Sequence, residues 1–107
     1  MNWSKLSEFI EVYNKLGYTN KAVLQLREDI LRESYKQNKR DIVISKTGEG
    51  ELLIYRVVND EYRNIIIDED ADIEYMNIPA NREDTINEYF PFKNLKDDSI
   101  VKLVEKI

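Results

Sequence analysis

The sequence predicts an α+β fold: an N-terminal αα-hairpin, a four-stranded antiparallel β-meander, then one short and one C-terminal helix. Three observations predict it. Up to about residue 37, apolar side chains recur at three- and four-residue spacing, the period of a helix face. From Asp41 the pattern changes to β-branched runs. Those runs are joined by connections too short for a crossover, so neighbouring strands run antiparallel.

The first helix is expected over residues 3–16, where Trp3, Leu6, Ile10 and Tyr13 share a stripe and Phe9 and Leu16 lie beside it. Gly17 suits the left-handed position that ends a helix. Thr19 or Asn20 can cap the second helix, because a short side-chain oxygen accepts the free amides of a first turn. That helix runs to about residue 37 on Val23, Leu26 and Ile30, extended by Leu24, Leu31 and Tyr35. Glu28 and Arg32 form a favourable i,i+4 pair on its surface.

Ile42-Val43-Ile44-Ser45 is the first strand, and Thr47-Gly48-Glu49-Gly50 a glycine turn. A phosphate loop would need a Lys-Ser/Thr pair after the glycines and a helix behind them; neither follows. Residues 52–58 form a second strand, apolar on both faces and therefore internal. Tyr62 to Ile67 and Ile73 to Ile78 complete the meander. Pro79 ends it. Asn81, with Asp84 three residues on, can cap a short helix from Arg82 to about Tyr89, stopped by Pro91. Phe90-Pro91-Phe92 reads as a turn whose aromatics pack on the core. Asp97 or Asp98 caps a last helix with Ile100, Leu103, Val104 and Ile107 on one face. Lys102 and Lys106 lie toward its negative dipole end.

At 107 residues, one domain spanning 1–107 is expected. The sequence has neither Cys nor His. That excludes disulfides, thiolate metal sites, imidazole ligands and the usual general base near neutral pH. No catalytic set, metal site or cofactor is expected, and binding is expected ahead of catalysis. No apolar stretch approaches the ~18 residues of a membrane span. Nor does a basic segment followed by an apolar run open the chain. The expected location is cytoplasmic, with no membrane partner.

The net charge of -5 is unevenly spread. Residues 1–40 hold eight basic and five acidic side chains, a net +3; residues 41–107 hold eight and 16, a net -8. Residues 60–74 alone carry seven acids and one Arg. Each half yields a functional expectation.

For the acidic half, Asp60, Glu61, Asp68, Glu69, Asp70, Asp72 and Glu74 form a negative surface suited to a basic groove on a larger protein. Complementary charge steers encounter and favours the right partner. The 59–61 and 68–72 turns flank one strand but at its opposite ends, so a single patch would need curvature or help from Glu83 and Asp84. The expected function is a non-enzymatic inhibitor or immunity-type protein, with a phage or mobile-element inhibitor of a nucleic-acid enzyme as one concrete version. A homodimer is compatible with it. The Asp-x-Asp-x-Asp start at Asp68 resembles a calcium loop. Ile73 then stands where the loop needs Gly, and Pro79 where it needs a bidentate Glu. Tyr55, Tyr62 and Tyr75 fall on adjacent strands, and core or partner packing is expected of them ahead of base stacking.

For the basic half, residues 9–26 resemble a helix-turn-helix. Leu16-Gly17-Tyr18-Thr19 matches its turn, Val12 its apolar position, and Val23 and Leu26 its packing positions; Tyr13 stands where Ala or Gly is usual. A hairpin after the second helix resembles the wing of a winged helix. The resemblance implies a small DNA-binding regulator with Asn20, Lys21, Gln25 and Arg32 facing the duplex and Lys46 reaching phosphate from the wing. Net acidity weighs against it, because phosphate contacts dominate DNA affinity.

Overall fold

A computed structural model describes residues 21–107. The helix expected over 3–16, the Gly17 turn and the Asn20 cap lie outside them, and with them most of the helix-turn-helix resemblance. The described part is α+β. Helix α1 (Lys21–Lys36) leads into five strands, β1 (Val43–Lys46), β2 (Leu52–Val58), β3 (Glu61–Ile67), β4 (Ile73–Ile78) and β5 (Ile86–Phe90), and helix α2 (Ser99–Lys106) follows. The strands form one antiparallel sheet in the order β1-β2-β3-β4-β5. Among the described residues no helix is long and apolar enough to cross a membrane.

Strand periodicity divides the sheet into two faces. The inner face presents Leu52 and Ile54 on β2, Ile65 and Ile67 on β3, and Ile73 and Tyr75 on β4. Val23, Leu26 and Ile30 of α1 and Leu103, Val104 and Ile107 of the C-terminal segment close over them in one core. Burying an aliphatic side chain of this kind contributes roughly 1.5–3 kcal/mol. Ile42, Ile44, Phe90, Leu95 and Ile100 pack around the margin.

Polar bonds fix α2 in place. Lys39 Nζ donates to the backbone oxygens of Val104 (2.6 Å) and Glu105 (3.1 Å). Arg56 Nη1 donates to the Ile107 oxygen at 2.6 Å, while its Nε pairs with Asp41 at 2.7 Å. Tyr75 Oη donates to the Lys106 oxygen at 3.1 Å. Carbonyls at a helix C-terminus lack intrahelical partners and carry negative partial charge, so cationic donors are the favourable caps. Helix α1 ends with Asn38 at φ 60° and a Lys39 N to Ser34 O bond of 2.8 Å, the αL termination that glycine usually supplies.

The sequence expectation needs correction after Pro79. Among the described residues there are five strands, not four, and no helix spans Arg82 to Tyr89. Asn81 does cap, its Oδ1 accepting from Glu83 N at 3.3 Å, but it caps only a 3-10 turn, Arg82–Asp84. Ile86–Phe90 then pairs with the open edge of β4, Ile73 opposite Phe90 and Asn77 opposite Ile86. The eight residues from Arg82 to Tyr89, with a proline beyond each end, cannot offset helix nucleation alone. The free backbone groups along β4 give the same residues hydrogen-bond partners at once. Alternation then sends Phe90 to the core margin and Glu88 to Lys106, 2.8 Å away. Phe92 does not pack as expected: it is 47% exposed.

Candidate functional site

In an antiparallel meander, alternate turns share an end. The β1–β2 turn and the β3–β4 turn therefore meet at one end of the sheet, because Leu52 pairs with Ile67 and Ile67 with Ile73. Glu49, Gly50 and Glu51 from the first turn and Asp68, Glu69 and Asp70 from the second line a shared cleft of about 280 Å³. Carboxylate oxygens of Asp68, Asp70 and Asp72 also lie within 4.8 Å of one another.

Local chemistry builds both turns. Gly50 adopts φ 85°, and its amide donates to Thr47 O at 2.9 Å; the Thr47 hydroxyl accepts from Glu51 N at 3.0 Å. In the other turn, Asp68 Oδ1 accepts from the amides of Asp70 (2.9 Å) and Asp72 (3.0 Å). Ala71 takes φ 66° while its side chain is buried in the core. Asp72 Oδ1 accepts from Phe92 N at 2.8 Å, which ties the segment after β5 to the acidic turn. Asp68 and Asp72 thus shape the end, whereas Glu49, Glu69 and Asp70 are exposed on it.

Burial and neighbouring charge together shift two groups here. Partial burial, then the charges of Glu49 and Asp68, push the Glu51 carboxyl above its ordinary range. Partial desolvation, then Asp72 and Asp68, push the Tyr89 phenol up as well. Tyr89 and Phe92, 60% and 47% exposed, set aromatic surface beside the carboxylates.

The expected acidic set therefore divides. Asp68, Glu69, Asp70 and Asp72 lie together, with Glu74 next to that end on β4 opposite Tyr89. Asp60 and Glu61 lie at the opposite end of β3, where β2 turns into β3. Glu61 accepts there from Asn77 and from Arg63 (2.9 Å), bonds that hold its carboxyl below the ordinary range. Glu83 and Asp84 are in the β4–β5 connection at that far end, so they do not extend the patch. Sequence reading missed Glu49 and Glu51. The turn-parity rule of a meander would have found them.

Of the residues assigned to DNA, Asn20 lies outside the described residues. Lys21, Gln25 and Arg32 are exposed on α1. Gln25 bonds Asp29 at 2.9 Å, and Arg32 pairs with Glu28 at 2.6 Å and lies 3.9 Å from Asp29. Lys46 ends β1, one residue before a turn that carries Glu49 and Glu51. A wing with that tip would bring carboxylates to phosphate. Comparison with known proteins finds no family model, no curated protein and no solved structure that matches the chain.

Proposed function

We propose that the acidic end of the sheet is the binding surface of a non-enzymatic protein that docks on a basic groove of a larger partner, in the manner of an inhibitor or immunity protein. One observation carries the reading. Two separate hairpin turns converge their carboxylates on one cleft, where partial burial and then the charges of Glu49 and Asp68 raise the Glu51 carboxyl. Like charges held together cost stability in the free protein and are relieved when a cationic surface arrives. A groove that normally holds nucleic acid has that chemistry, which makes a nucleic-acid-handling enzyme, including the target of a phage or mobile-element inhibitor, the favoured partner class. Tyr89 and Phe92 add the aromatic anchors that interfaces favour.

The test begins with affinity purification from the native host, with and without nuclease, followed by titration of the recovered partner against salt. The reading expects a partner that survives nuclease and binds more weakly as salt rises. It also expects a variant carrying Glu49→Gln, Glu69→Gln and Asp70→Asn to bind at least about tenfold more weakly, since close interfacial charge pairs couple by more than ~1.4 kcal/mol. An unchanged dissociation constant in that variant would remove the site. Recovery of duplex DNA alone would favour the regulator implied by the helix-turn-helix resemblance.

A further inference from the structure

Two aromatic rings flank the acidic end. Strand β5 finishes there, because Phe90 pairs with Ile73, the first residue of β4. Tyr89 lies one residue earlier, directly opposite Glu74 in the same register. Phe92 opens the 3-10 turn that follows Pro91, and its amide donates to Asp72 Oδ1 at 2.8 Å. That bond fastens the turn beside the 68–72 carboxylates. The two rings are 60% and 47% exposed. Partial desolvation, then the charges of Asp72 and Asp68, raise the Tyr89 phenol, and Asp70 adds a smaller push. All three clustered carboxylates therefore act on the Tyr89 side chain. Elsewhere the protein's own cations stand over rings: Arg40 lies 4.5 Å from the Tyr35 centroid, and Lys106 5.5 Å from that of Tyr75. Among the described residues no cation stands over Tyr89 or Phe92 in this way.

We propose that the acidic end selects arginine over lysine: a guanidinium presented by the basic partner stacks on Tyr89 or Phe92 while its N–H groups pair with carboxylates of the 68–72 turn. This selectivity rests on the docking surface proposed above and names the side chain that the surface takes. Carboxylates alone accept either cation. Lysine brings a compact, strongly hydrated ammonium that answers a carboxylate as a point charge. The guanidinium is planar and more weakly hydrated, with its donors in a fixed fork. One face can lie on a ring while an edge pairs bidentately with a carboxylate. Such a contact needs an exposed ring and a carboxylate within reach of one side chain. Tyr89 makes that juxtaposition with Asp72 and Glu74, and Phe92 makes it with Asp72. The attraction of a cation to a ring face grows as the interface excludes water. Grooves that hold nucleic acid favour arginine for the same planar, bidentate pairing with phosphate, so the selectivity fits the partner class.

Titration calorimetry of the full chain, at one fixed salt concentration, tests it with an oligo-arginine and an oligo-lysine peptide of equal length and charge. The arginine peptide should bind about fivefold more tightly. Tyr89→Leu combined with Phe92→Leu keeps every carboxylate and an apolar side chain at each position but removes both rings. It should bring the two affinities together. The Glu49→Gln, Glu69→Gln, Asp70→Asn variant should weaken both peptides, which reads the docking surface apart from the rings. Circular dichroism establishes that each variant is folded, and Phe92→Leu alone, outside the sheet, repeats the test should the paired substitution unfold. Equal affinities in the wild-type chain overturn the inference and leave the docking surface standing. So does an arginine preference that persists undiminished in a folded leucine variant. Binding of neither peptide removes the docking surface itself, and the selectivity with it.

Discussion

Single residues show where this chain departs from its own stability optimum. Asn59 and Asp60 form the two-residue β2–β3 turn, at φ 50° and 64°. Positive φ at both positions is the type I′ geometry, in which glycine is favoured at the second. Asp60→Gly should therefore raise stability by about 0.5–1 kcal/mol, read from urea unfolding. Partner binding should be unaffected, because Asp60 is at the end remote from the cleft. Glu51 makes the complementary case. Its carboxyl is raised above the ordinary value near 4.5 by burial and by Glu49 and Asp68. A carboxyl with a raised folded-state pKa binds more protons folded than unfolded, so stability falls as pH rises from the unfolded value through the folded one. Above that window the penalty is complete. Glu51→Gln should remove it, stabilising the protein by about 0.5 kcal/mol at pH 7 and by nothing at pH 4. Equal stabilisation at both pH values would mean that charge is not the cause.

Among the elements, α2 holds its place through donors that lie far from it in sequence. Lys39 contributes two bonds to its final carbonyls. Burial, then Arg56 and Arg63, lower the Lys39 pKa, so the position carries a cation against local opposition. Lys39→Met retains most of the aliphatic stem and removes the donors. It should cost about 1–2 kcal/mol in urea unfolding, the range for charged hydrogen bonds partly shared with water. Neither this clamp nor β5 could be read from local pattern. The stripe of α1, the turn at Thr47–Gly50 and strands β2 to β4 were legible, because each is set by periodicity or turn chemistry within its own segment. The 86–90 segment is set instead by the vacant edge of β4, which exists only once the meander has formed. Asn81 and Asp84 gave a true start signal for a turn that then had too little chain to become a helix. The candidate site divides in the same way. The acidic run at 68–72 was evident from composition, while Glu49 and Glu51 joined it only through the parity of hairpin turns.

At the scale of the whole molecule, salt should separate three effects that charge otherwise mixes. The acidic end is under like-charge repulsion, and its groups are close enough and exposed enough for ions to screen. Raising NaCl from about 20 to 300 mM shortens the Debye length from ~20 Å to ~6 Å, which relieves repulsion between carboxylates of neighbouring turns. Thermal stability of the free chain should therefore rise with salt. It should rise less in the Glu49→Gln, Glu69→Gln, Asp70→Asn variant, where less repulsion is left to screen. The isolated ion pairs work the other way. Arg32–Glu28 and Lys102–Asp98 are exposed surface i,i+4 pairs, and salt weakens them. Their losses are common to both proteins, so the difference between the two salt slopes reports the acidic end alone. Identical slopes in melts at matched protein concentration would show that the converging turns carry no appreciable electrostatic strain. The observation behind the docking surface would then lose its energetic basis, whatever the protein's oligomeric state.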